Sequence, residues 1–144
     1  KNQMQIASFY AGVAITASGT TAVHALSYPL GGKYHIAHGV SNAILLAPVM
    51  RFNEPACRER LAAAYDRCLQ GGETTLEGKS AAVITRLEQI VRHLDIPTSL
   101  TESGVPKEDL EALVASGMEV TRLLVNNMRE ITPDDARYLY QQVL

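Results

Sequence analysis

Residues 23–39 read VHALSYPLGGKYHIAHG: an apolar helical stretch, a break over Pro29 to Gly32, and a new helix that begins at His38. The same alternation of apolar helical runs with Gly and Pro breaks extends over the rest of the chain, and period-two alternation is nearly absent. The sequence therefore predicts an all-α fold, a bundle of about seven to eight helices.

One kink and one helix start are especially clear. Pro48 lies inside the third predicted helix and predicts a kink there. Thr132 precedes a first-turn proline, and an acid follows three residues after it, which is the pattern of a capped helix start. The first helix is apolar on nearly every face, which predicts that it is buried all round. The predicted helices cover 3–17, 21–30, 38–52, 55–68, 83–94, a sixth from Pro106, 118–126 and a last one from Thr132.

Length and charge exclude several classes of protein. The 144 residues carry a formal net charge of −2, which suits one domain and argues against binding to nucleic acid or to a membrane surface. No apolar stretch is long enough for a transmembrane helix. Cys57 and Cys68 lie on one predicted helix, roughly 16 Å apart, so they cannot form a disulfide with each other. Both are expected to be reduced core residues of a cytoplasmic protein.

The candidate chemistry lies in the quoted stretch. The turn between its two helices can bring His24 and His38 together, and neutral imidazoles bind Fe, Zn, Cu or Ni. Tyr28 follows His24 by four residues on the same helical face, where its hydroxyl could contact a substrate. The simpler alternatives are that His24 is a core histidine, that His38 is a hydrogen-bond donor at a helix start, and that Tyr28 is a core tyrosine.

Two imidazoles supply only part of a catalytic metal site, which needs about three protein ligands and an open position. Glu54, Asp66 and Asp95 are the carboxylates to consider, but each has a simpler interpretation as a solvated or capping residue. We expect His35 to be exposed in the turn, and His93 to interact with a helix C-terminus.

Three runs carry a resemblance to a known family: His24 to Gly32, His38 to Leu46, and Val49 to Asn53. Two histidines at this separation, a Pro-Leu-Gly turn between them and a His-Gly-x-x-Asn-Ala helix start resemble the iron-dependent (group III) alcohol dehydrogenases of the dehydroquinate synthase-like superfamily. Weaker similarity covers essentially all 144 residues.

The resemblance implies a two-domain enzyme of which residues 1–144 are the all-helical, metal-binding C-terminal domain. In this family an N-terminal domain binds NAD or NADP, and one Asp and three His hold Fe(II) or Zn(II). His24 and His38 match the third and fourth ligands. The Asp-Ala-x-x-His segment of the first two has no counterpart here and is expected ahead of Lys1, together with the nucleotide domain. The expected partners are this missing domain, a small alcohol or aldehyde, and further copies in a homo-oligomer; the chain alone should be inactive.

Two departures from the family pattern stand out. Tyr28 occupies the position where many members carry a second histidine, and a tyrosine hydroxyl does not replace a histidine as a base near neutral pH. The run Asn126-Asn127-Met128-Arg129 lacks the proline of the family's Asn-Pro-Arg. Two alternatives stay open: a sister enzyme of the maleylacetate reductase or glycerol dehydrogenase type, and a non-catalytic helical interaction module.

Overall fold

The computed structural model describes all of residues 1–144, and every regular element in it is helical, which confirms the all-α prediction. Seven α-helices and one 3-10 turn follow one another along the chain. They are α1 (Asn2–Ser18), α2 (Ala22–Tyr34), α3 (His38–Cys68), α4 (Leu76–Arg92), the 3-10 turn (Lys107–Asp109), α5 (Leu110–Met118), α6 (Thr121–Leu124) and α7 (Pro133–Gln141).

Helix α2 is central to the core. It packs against α3, α5 and α6, while α5 also packs against α7. Leu26 and Leu30 of α2 are completely buried in one cluster with residues of α3, α5, α7 and the segment after α4. Gly117 permits a close approach of α5 to α2, since a Cβ there would lie 2.9 Å from Leu26 Cδ2. The fold thus holds α2, and the histidine it carries, between several partners.

The prolines interrupt the helices less than the sequence predicts. Helix α2 continues through Pro29 to Tyr34 and ends at His35, whose φ of 55° is left-handed. Burial of the flanking leucines outweighs the one backbone hydrogen bond that a proline removes.

The two helices predicted over 38–68 are both present, and they meet at a kink without a loop between them. The single residue of α3 with non-helical angles is Cys57, at φ −131° and ψ 15°. The distortion therefore lies just after Pro55, and the kink predicted at Pro48 was wrong. Pro48 fits within the helix because a proline removes only one backbone hydrogen bond, and burial of the adjacent Ala47 and Val49 offsets that loss.

Helix α1 forms as predicted, but the prediction that it is buried was wrong. None of its residues is buried, and Met4, Phe9 and Tyr10 are 74%, 68% and 67% exposed. Few residues of other helices contact it, so its apolar surface faces outward.

None of the helices is alone long and apolar enough to cross a membrane; α1 and α2 reach that composition only as a pair bent by 107°.

The remaining differences concern element ends and one cysteine. Helix α4 begins earlier than predicted, where the Thr75 side chain caps it by accepting from Gly78 N–H. The predicted seventh helix shrinks to the four residues of α6. Both cysteines are free, as expected, but only Cys57 is buried. Cys68 is exposed, so its prediction as a core residue was wrong.

The predicted cap at Thr132 is present. Thr132 Oγ1 accepts a hydrogen bond from Asp135 N–H at 3.2 Å, and the Asp135 carboxylate accepts from Thr132 N–H at 2.9 Å. The Thr132 hydroxyl also donates to the Asp135 carboxylate at 2.6 Å, and this bond, together with the one from Thr132 N–H, lowers the pKa of the Asp135 carboxyl. The reciprocal bonds satisfy two donors at the first turn of α7.

Removal of this cap should destabilise the chain measurably. We expect Thr132→Ala to lower the free energy of unfolding by about 1 kcal/mol at neutral pH, measured by urea denaturation. Because the pKa of Asp135 is lowered on folding, the capping contribution is present above its unfolded pKa and is lost as the pH falls through the folded one. The control is Thr85→Ala, an exposed site within α4, which should change stability by less than about 0.5 kcal/mol. Equal stability of the Thr132 variant and the wild type at neutral pH would contradict the assignment.

Candidate metal centre

His24 and His38 are brought together by the turn between α2 and α3. His24 lies in the first turn of α2 and is half-buried, while His38 is the first residue of α3 and is exposed. Their ring centroids are 5.3 Å apart with an angle of 57° between the ring planes. The convergence predicted from the sequence is therefore a feature of the fold.

The surroundings favour a neutral His24. Burial lowers the pKa of its imidazole, and the proximity of His38 lowers it further. Both effects act against the charged form, since a buried imidazolium loses hydration and two adjacent cations repel. A neutral imidazole keeps a nitrogen lone pair available for a ligand.

The ring separation fits two imidazoles on one metal ion. A tetrahedral ion about 2.1 Å from each ligating nitrogen holds two ring centroids on the order of 5 Å apart. However, no group of three or more His, Cys, Asp or Glu side chains in this chain could hold a metal ion together. These residues thus supply two donors of suitable chemistry and spacing, and a catalytic site needs more.

Asn42 is a member of the site whose role the sequence analysis missed. It lies one turn after His38 on α3, and its amide nitrogen is 3.0 Å from His38 Nε2. Its Oδ1 atom is buried and has no hydrogen-bond partner. An unsatisfied buried acceptor is rare and costs about 1–3 kcal/mol, so it marks a place where a donor group can bind beside the imidazoles. The sequence analysis included Asn42 only as part of the His-Gly-x-x-Asn-Ala run and did not predict its contact with His38.

Tyr28 lies beside the histidine pair, as its spacing predicts. Its ring centroid is 6.0 Å from that of His38, and the side chain is 38% exposed. Arg122 of α6 also contacts Tyr28, and its Nη2 is 3.5 Å from the Tyr28 hydroxyl. Nothing in the sequence singles out Arg122, because the two residues are 94 positions apart.

The carboxylates considered from the sequence have other roles or lie elsewhere. The Glu54 carboxylate accepts hydrogen bonds from Arg58 and Ser80, and these bonds lower its pKa. Asp66 forms an ion pair with Lys79 at 2.7 Å. Asp95 is an exposed turn residue with φ of 50°. They thus leave the histidines without a carboxylate.

The other two histidines match their simpler interpretations. His35 is exposed in the turn before α3. His93 caps α4, with its Nδ1 at 2.6 Å from the carbonyl oxygen of Gln89. The backbone N–H of His93 bonds to the same carbonyl at 3.2 Å, and a histidine at this end of a helix interacts favourably with the helix dipole.

Distant parts of the matched motif are joined by a reciprocal amide pair. Asn53 and Asn127 exchange hydrogen bonds of 2.9 and 2.8 Å. Arg129 donates to the Phe52 carbonyl at 2.6 Å and stacks 4.0 Å from the centre of the Phe52 ring. The segment that lacks the family's proline is therefore held to α3 by side chains.

The site is open in this chain. A cavity of about 540 Å³ lies between α3, α4 and α7, lined among others by Arg51, Phe52 and Tyr138. It includes neither histidine of the pair nor Tyr28. This cavity is therefore separate from the imidazole pair.

The fold and the facing imidazoles define a helical domain that carries nitrogen donors suited to a transition metal. All of residues 1–144 match the model of the Fe-containing alcohol dehydrogenase family, C-terminal. The chain belongs to this family, as its motif indicates.

Curated relatives agree with this assignment. The chain is 37% identical over 136 residues to long-chain-alcohol dehydrogenase 1 of Geobacillus thermodenitrificans (strain NG80-2), covering 93% of this chain and 34% of the relative. It is 33% identical over 141 residues to lactaldehyde reductase of Escherichia coli (strain K12), covering 96% and 36%. The chain therefore spans about a third of the length of these relatives.

A solved structure of an alcohol dehydrogenase from Oenococcus oeni has the same fold. It superposes with a TM-score of 0.83 at 26% identity, and the match covers 93% of this chain and 35% of that one. The helical arrangement described above is thus that of a known dehydrogenase structure.

Proposed function

We propose that this chain is the C-terminal, metal-binding domain of an NAD(P)-dependent, iron-type alcohol dehydrogenase, which interconverts alcohols and aldehydes or ketones. The observation that carries the proposal is the placement of His24 and His38 at 5.3 Å within the family's motif. In the proposed reaction a primary or secondary alcohol loses one hydride to NAD(P)⁺ and one proton to solvent. The reverse reaction reduces the carbonyl compound.

His24 and His38 would hold the ion, Fe(II) or Zn(II). When bound, the ion supplies Lewis-acid polarisation of the substrate oxygen, and the nicotinamide exchanges the hydride. Burial lowers the pKa of His24, which favours the neutral imidazole that a metal ligand requires. Tyr28, beside His38, would contact the substrate as a hydrogen-bonding wall of the site, and its catalytic role is limited to that contact.

The proposal assigns the remaining parts to a longer protein. The relatives are about three times as long as this chain, and an Asp-Ala-x-x-His segment and a nucleotide-binding domain ahead of Lys1 would complete the site. Under this proposal residues 1–144 alone are inactive and the complete enzyme is a homo-oligomer. We place it in the cytoplasm, where thiols such as those of Cys57 and Cys68 stay reduced.

The complete protein provides the test. We expect NAD(P)-linked oxidation of short primary alcohols, and a loss of at least roughly tenfold after chelation, since the ion contributes several kcal/mol of charge stabilisation. Addition of Fe(II) or Zn(II) should restore the rate, with metal content followed by elemental analysis. The 144-residue chain assayed in parallel should show no turnover.

Two results would contradict the proposal. One is an undiminished rate in protein shown to be free of metal. The other is full turnover by the 144-residue chain alone.

A further inference from the structure

Arg122 places a positive charge beside Tyr28, which is itself a neighbour of His38. Its Cζ lies 5.7 Å from the centre of the Tyr28 ring, and its Nη2 is 3.5 Å from the Tyr28 hydroxyl. Tyr28 also neighbours His38, since the centroids of the two rings are 6.0 Å apart. Tyr28 is therefore a common neighbour of His38 and of the Arg122 guanidinium.

No carboxylate of the chain neutralises Arg122. It takes part in none of the seven ion pairs, whereas Arg51, Arg58 and Arg137 each contact an acid. Lys33, which lies on α2 with Tyr28, is engaged by Asp109 at 2.7 Å. The guanidinium of Arg122 is exposed and has five donors, of which the Tyr28 hydroxyl occupies one.

We infer that Arg122 determines substrate specificity, and that the enzyme acts on alcohols or aldehydes with a carboxylate at the far end of a short chain. The inference rests on the proposed function, which places the reacting oxygen at His24 and His38. A guanidinium binds a carboxylate through two parallel hydrogen bonds, a geometry that a neutral alcohol cannot use. Tyr28 would pack against the carbon chain between the two ends.

The test compares substrates that differ only in this charge. In the complete, metal-loaded protein, kcat/KM is measured for unbranched ω-hydroxy acids of roughly three to six carbons and for the diols of equal length. We expect the wild type to prefer the acids. Arg122→Gln should lower the acid-to-diol ratio of kcat/KM by roughly 10- to 100-fold, mainly through KM, because a bidentate charge-assisted contact is lost.

Two further variants sharpen the comparison. Arg122→Lys should recover part of the preference, since it restores the charge without the fork geometry. Arg67→Gln, at an exposed arginine in the last turn of α3 without an ion pair, should leave the ratio at the wild-type value.

Several outcomes would overturn the inference. An unchanged ratio in Arg122→Gln is one, and a rise in KM for NAD(P) without a change in the ratio is another, since it would assign Arg122 to the cofactor phosphates. A wild-type protein that oxidises diols but discriminates against the acids overturns the inference and leaves the proposed function standing. A wild-type protein that oxidises neither these compounds nor any short primary alcohol overturns both.

Discussion

His38→Ala in the complete protein is expected to reduce bound metal to a small fraction of the wild-type content and to lower kcat/KM by roughly 10³-fold. His38 starts α3 and faces His24 at 5.3 Å, so its loss removes one of the two donors that this chain provides. Because His38 is exposed, its truncation leaves no cavity, and the fold should persist. Elemental analysis after dialysis measures the first effect and alcohol-dependent NAD(P)H formation the second.

His24→Ala is the companion variant and His93→Ala the matched control. His24→Ala should produce the same losses, since an ion held by the remaining ligands dissociates faster. His93 is also an exposed histidine at a helix end, but it belongs to α4 and its ring bonds to the Gln89 carbonyl. His93→Ala should keep its metal and its rate. Full metal content in both His24→Ala and His38→Ala would refute the ligand assignment.

Tyr140→Ala is expected to lower the free energy of unfolding by about 3–5 kcal/mol, the largest stability change that we predict for this chain. Tyr140 is completely buried on α7, and its hydroxyl donates to the Leu26 carbonyl at 2.7 Å. Its burial strongly raises the pKa of the phenol, so the hydroxyl remains a donor across the usual pH range. Removal of the ring leaves a cavity between α2, α5 and α7.

Two substitutions separate the ring from its hydroxyl. Tyr140→Phe retains the ring and should cost only about 1 kcal/mol, the value of the lost hydrogen bond. Tyr138→Ala, two residues earlier on the same helix and 58% exposed, should cost less than about 1 kcal/mol. Chemical denaturation followed by circular dichroism measures all three. Similar losses in Tyr138→Ala and Tyr140→Ala would show that position in the core is not the cause.

Much of the site could be predicted because it is local in sequence. His24 and Tyr28 are one helical turn apart, and His38 follows after a short turn, so the chain geometry alone brings them near one another. The cap at Thr132 is equally local and was predicted with its acidic partner, Asp135. Such features depend on spacings of a few residues, which helical periodicity converts directly into distances.

The contacts that complete the site could not be predicted in this way. Arg122 reaches Tyr28, and Asn127 reaches Asn53, across 94 and 74 positions. Neither arginine nor asparagine has a sequence pattern that identifies a distant partner. Burial of Asn42 Oδ1 without a hydrogen bond likewise depends on how the helices pack.

Local patterns therefore account for the helical class, the cap of α7 and the pairing of His24 with His38, because each depends on interactions within a few turns. Packing alone decides the others. Packing keeps α2 helical through Pro29 and leaves α1 exposed. It also places the kink of α3 at Cys57 and Arg122 beside Tyr28. The physical reason is that burial and long-range contacts sum over the whole chain, so no short segment holds the information that fixes them.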